Sequence, residues 1–233
     1  MSQAADELTA QQEAALPVWR GVFRSSGRQL LVLLVALFLS FPFLDSLSWG
    51  DDAVNLLFTV VMLSALLAVG GRKWVFIGGG LLLIPALVLR WLPHLVEMRV
   101  DHPVTLASYC LFDAYVIIHL LRYVLRTPRV DAEVLSAGVS IYLLIGWLWA
   151  FLYLLCVQLQ PHAFALTPPA EPRLYDMFYF SFTTLTTAGY GDILPLSRQT
   201  RMLAAMESVF GVLYLAVLVA RLVALYSSPL ERQ

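Results

Sequence analysis

Thr186-Thr187-Ala188-Gly189-Tyr190-Gly191-Asp192, continued by Ile193-Leu194-Pro195, is the stretch on which the reading of this chain turns. It lies between two long apolar runs. Glycine accepts unusual dihedrals at little steric cost. Gly189 and Gly191 therefore let a short segment turn successive carbonyls the same way, and the threonines ahead of them add hydroxyl oxygens. A close ring of such oxygens is what replaces the water around a desolvated cation.

The surrounding composition sets the solvent. The chain has 233 residues, 60% of them hydrophobic and 13% charged, with a mean hydropathy of +0.76. A soluble domain carries roughly a quarter charged residues, so the expected solvent is a membrane and its lipids. The formal net charge of −1 gives no support for a nucleic-acid partner. Cys110 and Cys156 both fall inside apolar runs and read as small core residues, not as a disulfide or metal site. The four histidines are scattered without zinc or haem spacing. No Ser-His-Asp order and no phosphate-cradling loop is visible, so no enzyme chemistry and no cofactor are expected. The polar character of residues 1–28 and the length of the first apolar run argue against a cleaved secretory signal.

Membrane-spanning helices need about 20 apolar residues. Five candidates run Leu30 to Leu47, Ala53 to Gly70, Trp74 to Leu92, Val104 to Leu125 and Val134 to Leu159, with a sixth from about Met202 to Tyr226. Between the last two lies a mixed stretch, Gln160 to Arg201, opening with Pro161, Pro168, Pro169 and Pro172. Its aromatic segment, Leu174 to Leu185, is too short to cross and predicts a re-entrant half-helix. Irregular backbone at membrane depth requires surrounding protein or a water-filled cavity. The fold class is thus all-α and membrane-spanning, with six transmembrane helices and a re-entrant helix between the fifth and sixth.

Basic residues in short loops mark the cytoplasmic side. With the amino terminus inside, Arg20, Arg24, Arg28, Arg72, Lys73, Arg122, Arg126, Arg129, Arg221 and Arg232 are cytoplasmic; Arg90, Arg99, Arg173, Arg198 and Arg201 are outside. Ten against five places both termini in the cytoplasm of a multi-pass plasma-membrane protein, and Asp192 on the outer side.

In this setting TTAGYGD resembles the selectivity filter of potassium channels, usually written TTVGYGD. The chain is similar to a bacterial six-transmembrane potassium channel of the voltage-gated-like superfamily. The resemblance covers about Val134 to Tyr226. It implies that the carbonyls of Thr187, Ala188, Gly189 and Tyr190, with the Thr187 hydroxyl, would hold K⁺ as the permeant ion. Gly191 would turn the strand outward. Thr186, Asp192, Tyr179, Thr183 and Glu207 would support the filter, with Tyr179 as the partner of Asp192. Tyr190 would pack away from the axis. Ala188 replaces the usual valine, which removes bulk behind the filter but leaves its backbone chemistry intact. Gly211, twenty positions after Gly191, matches the hinge glycine of the family's inner helix; close helix packing is the alternative. Val212, Leu215 and Val219 would line the cavity. One filter segment per chain and a ring of four imply a homotetramer.

Glu207 stands well inside an apolar run, where a carboxyl is costly and faces the bundle interior. The expectation is a hydrogen bond to a pore-helix hydroxyl among Ser181, Thr183 or Thr184; the alternative is an outer end wetted from outside. Trp147, Trp149 and Tyr153 are expected to pack on the neighbouring inner helix. Gly78, Gly79 and Gly80 are expected at close helix contacts.

The four leading spans lack the pattern of a voltage sensor, in which each charge moved contributes about 2.3 kcal/mol per 100 mV. The fourth offers Arg122 alone, with Arg126 and Arg129 beyond its inner end, so weak or absent voltage gating is predicted. Asp113 and His119 read as packed polar groups. The expected division is 1–28 as a cytoplasmic segment, either an interfacial helix or a disordered tail; 29–130 as a four-helix peripheral domain; 131–226 as the pore domain; and 227–233 as a tail too short for a regulatory domain. Alternative readings are a cation channel that passes Na⁺ and K⁺ alike, and a non-conducting membrane scaffold or enzyme subunit.

Overall fold

The computed structural model describes residues 19–44, 50–69, 73–91, 102–127, 131–160, 162–168 and 172–226. The expectations for residues 1–18 and 227–233 lie outside the described residues. The helices are α1 (Trp19–Leu44), α2 (Gly50–Val69), α3 (Lys73–Trp91), α4 (Pro103–Arg126), α5 (Ala132–Leu159), α6 (Leu174–Leu185) and α7 (Arg198–Tyr226). Two short strands, β1 (Phe164–Leu166) and β2 (Ile193–Pro195), flank α6 in sequence.

Helix ends follow local chemistry. At α4 the His102 ring accepts from the Val104 amide and Pro103 opens the first turn, where a missing N–H costs nothing. At α5 the Asp131 carboxylate accepts from the amides of Glu133 and Val134 at 3.1 and 2.9 Å, satisfying donors that no helical carbonyl reaches. At α6 the Asp176 carboxylate reaches back to the Arg173 amide at 2.8 Å.

Asp52–Val69 within α2, α3, α4, α5 and Arg198–Arg221 within α7 are long and apolar enough to cross a membrane; α1 contributes the shorter apolar stretch Gly27–Ser40. At 12 residues and about 1.5 Å per residue, α6 is too short to do so. It spans the same residues that the aromatic segment predicts. The last helix begins at Arg198, not Met202, because Ser197 caps it: the Ser197 hydroxyl accepts from the Thr200 amide.

The short connection from Thr127 to Asp131 returns α5 directly against α4, and α1 packs on both α2 and α5. An aromatic seam binds these helices together. Phe58 of α2 meets Trp147 and Phe151 of α5 and Tyr109 of α4, with ring centroids 5.5, 5.6 and 5.8 Å apart. Trp147 in turn lies 4.3 Å from Phe178 of α6, while Phe38 of α1 meets Phe178 and Phe182. Trp147 thus meets α2 and α6, and Trp149 meets Phe210 of α7. Buried Arg90 lies over the Phe58 ring at 4.3 Å.

Gly78 and Gly79 sit at close contacts, where an added Cβ would lie 2.9 Å from Tyr115 and 2.5 Å from Leu66. Gly80 corrects the expectation, since it has nothing within 4 Å of a Cβ. Asp113 is buried, and the His119 ring lies 2.9 Å from the Tyr115 carbonyl.

Replacing Phe58 by alanine removes the ring shared by α2, α4 and α5. We expect a loss of about 3 kcal/mol, seen as an earlier thermal transition of the purified protein followed by near-ultraviolet circular dichroism.

Candidate functional site

The site is the carboxyl end of α6 and the non-helical run after it. α6 ends because its amides turn back: Thr186 N–H donates to the Phe182 carbonyl, Thr187 N–H to Thr184, and Gly189 N–H to Thr183. The last bond folds the chain back beside the helix end. Thr187, Gly189 and Gly191 take φ of 60°, 53° and 82°, whereas Ala188 and Tyr190 between them are not in the left-handed region. Alternating backbone handedness flips every second peptide, which brings successive carbonyls to one side. Glycine meets this demand freely, whereas Thr187 meets it against its own Cβ.

Residues Thr186 to Gly191 are all exposed in the single chain, Tyr190 by 75%. The Tyr190 ring stacks on Tyr179 of α6 at 6.3 Å. The Tyr179 side chain also lies close enough to Asp192 to interact with it, the pairing anticipated for those two residues. Asp192 is further held by its backbone, whose carbonyl accepts from Thr167 N–H at 2.9 Å. That bond extends the β1–β2 ladder, in which Phe164, Ala165 and Leu166 oppose Pro195, Leu194 and Ile193. Buried Thr200 adds a hydroxyl bond to the Ala163 carbonyl. The chain leaving the glycine-rich run is thus strapped to the segment entering α6. Three-residue strands interrupted by proline carry no alternation long enough to be read from sequence.

Glu207 is fully buried, which overturns the wetted alternative. Its carboxyl meets the Ser181 hydroxyl and the Tyr153 hydroxyl, each at 2.5 Å. Ser181 is one of the three partners anticipated. The other two are not: the Thr183 hydroxyl donates to the Phe180 carbonyl within its own helix, and Thr184 meets α7 through its carbonyl, which accepts from Ser208. Thr186 likewise donates to Phe182. Tyr153 does reach the last helix as expected, and does so through its hydroxyl. A tyrosine whose ring suits an aromatic seam hides the fact that its hydroxyl has a buried acceptor.

Gly211 is where α7 crosses the end of α6. A Cβ there would lie 2.3 Å from the Leu185 carbonyl oxygen and 2.9 Å from its Cδ1, so the packing alternative has a definite contact. Val212, Leu215 and Val219 follow on one stripe of α7 at helical spacing, and all three are exposed.

With this geometry in place, residues 137–228 match the family model described as ion channel. That segment is similar to ion-channel domains. Relatives share it. The inward rectifier potassium channel Kirbac3.1 of Paramagnetospirillum magnetotacticum is 31% identical over 91 residues, which is 39% of this chain and 28% of that protein. The two-pore potassium channel 4 of Arabidopsis thaliana is 43% identical over 54 residues, 23% of this chain and 19% of that protein. The chain thus spans less than a third of the length of the curated relatives it matches. No solved structure gives a significant match. The ion-channel match and the apolar helices together make this an all-α, multi-pass membrane protein. The matched segment begins inside α5 and takes in α6, the glycine-rich run and α7.

Gly211→Val forces the branched side chain against a backbone carbonyl that cannot swing aside. A destabilisation of about 1–3 kcal/mol is expected, measured as a lowered melting temperature, with Gly80→Val as the matched control that leaves it unchanged.

Proposed function

We propose that this protein conducts K⁺ passively and selectively through a ring of backbone carbonyls from Thr187, Ala188, Gly189 and Tyr190, contributed by four copies of the chain. The observation that carries the reading is the alternation of left-handed φ at Thr187, Gly189 and Gly191. Strain at a threonine persists only where surrounding structure over-determines it, and here the turn after α6 and the β strap do so. An ion stripped of water needs close oxygens at fixed distance, and a row of aligned carbonyls repeated around an axis supplies them. The names of the two potassium-channel relatives point the same way.

What one chain leaves uncovered supports assembly. α7 carries exposed Val209, Phe210, Leu213 and Val217 together with the stripe of Val212, Leu215 and Val219. A second, third and fourth copy would cover part of this surface and leave the stripe facing the cavity. The carboxyl end of α6, bearing roughly half a negative charge, would then favour a cation waiting there. Gly211 would serve close packing in this state and bending when the pore changes width.

In this reading residues 131–226 form the pore and 29–130 a peripheral unit, with both termini cytoplasmic in the plasma membrane. The peripheral unit offers no ladder of arginines, so conduction responds weakly or not at all to voltage.

The test is K⁺ flux into proteoliposomes with barium as blocker. Intact protein should carry a barium-sensitive flux and, between K⁺ and Na⁺ solutions, a reversal potential far from zero. Gly189→Ala adds a Cβ where φ is +53°, at about 1 kcal/mol of strain per subunit, and should abolish the selective flux. A reversal potential near zero in the intact protein would mean that Na⁺ passes equally, and an absence of flux would favour a scaffold.

A further inference from the structure

Three short oxygen–oxygen contacts meet behind the pore helix. The Tyr153 hydroxyl of α5 lies 2.5 Å from Glu207 Oε2, the Ser181 hydroxyl of α6 lies 2.5 Å from Glu207 Oε1, and the same Ser181 oxygen lies 2.8 Å from the Gly146 carbonyl of α5. Each such contact holds together only with a proton between its two oxygens; two lone pairs facing each other at this distance repel. Three contacts therefore need three protons. Tyr153 and Ser181 bring one each, and a backbone carbonyl brings none. The third must come from the carboxyl of Glu207.

We propose that Glu207 is a neutral carboxylic acid, and that it acts as a hydrogen-bond donor fixing the pore helix in place. The chain of bonds then runs in one direction without a gap. Tyr153 donates to the carbonyl oxygen of Glu207, the acid O–H donates to Ser181, and the Ser181 O–H donates to Gly146. Ionised Glu207 would leave either Ser181 or Gly146 facing a bare oxygen.

The surroundings agree with a neutral group. Tyr153, Ser181 and Glu207 are each fully buried. Glu207 has no basic partner among the described residues; the titratable side chains that feel it are Tyr153 and Tyr142 of α5, and from α6 it meets the uncharged Ser181. A buried carboxylate with no cation beside it carries a desolvation cost that protonation removes. Gly146 completes the site by its lack of a side chain, since a Cβ would lie 2.4 Å from the Phe182 ring. That close approach brings α6 near enough for Ser181 to use a carbonyl of α5. Glu207 is thus a positioning residue: it ties α5 and α7 to the helix from which the glycine-rich run departs.

The functional consequence rests on the channel reading, but the protonation does not, and two measurements separate them. Infrared difference spectroscopy of intact protein against Glu207→Gln should show the carbonyl stretch of a protonated carboxylic acid. The band should persist from about pH 5 to about pH 7, where an ordinary carboxyl is ionised. Carboxylate bands in its place would overturn the proposal whether or not the protein conducts. In flux assays Glu207→Gln keeps one acceptor for Tyr153 and one donor for Ser181. Its K⁺-over-Na⁺ preference should stay within about twofold of the intact protein, while Glu207→Leu and Ser181→Ala lose about tenfold or more. Should Glu207→Leu fail to fold, Ser181→Ala, which removes one oxygen, carries the same comparison. Equal loss in Glu207→Gln and Ser181→Ala would refute the neutral donor.

Discussion

Backbone that leaves the helix inside a membrane must find its hydrogen-bond partners in protein, because lipid has none to offer. This constraint explains most of what surrounds residues 186–192. The amides of Thr186, Thr187 and Gly189 turn back onto carbonyls at the end of α6, and Asp192 is caught by the ladder that joins β1 to β2. Among the described residues, no hydrogen bond reaches a carbonyl of Thr186 to Gly191. Unpaired carbonyls set in a row are what a desolvated cation requires.

Holding that segment still is a task for distant parts of the chain. α6 is a short helix with buried aromatic and aliphatic side chains on one face: Met177, Phe178 and Phe180. α1 reaches it through Phe38, α5 through Trp147, and α7 through the Glu207 cluster and the close crossing at Gly211. In a lipid solvent, packing and interhelical hydrogen bonds hold helices together, not apolar burial. The aromatic seam and the buried oxygen chain are those two forces in this molecule. At the opposite, arginine-bearing ends of the helices, Arg221 of α7 donates to the Thr127 carbonyl at 2.7 Å, and Arg28 of α1 lies 3.8 Å from Glu133 of α5. The helix carrying the exposed stripe is therefore tied to the α4–α5 corner as well as to α6.

Much of the architecture was legible along the chain. Apolar runs of spanning length announce helices because length and composition are local quantities. The limits of α6 were legible from Pro172 and the aromatic block, and the glycine-rich run from its own letters. Glu207 drew notice because a carboxyl deep in an apolar helix must have company. The company itself was hidden: Tyr153 lies 54 residues away and Gly146 lies 35 from Ser181, and neither carries a local sign of its role. The strap of β1 and β2 was hidden for a related reason, since three residues are too few to show a period.

What the amino-acid order decides alone is therefore what needs only neighbours: which segments are apolar, where a helix is capped, and where glycine permits left-handed backbone. The assembled chain decides which oxygen faces which, that Gly211 and Gly146 make room for a carbonyl and a ring, and that Gly80 makes room for nothing. Those outcomes follow from helices meeting across dozens of residues, and a contact of that kind exists only once the packing does.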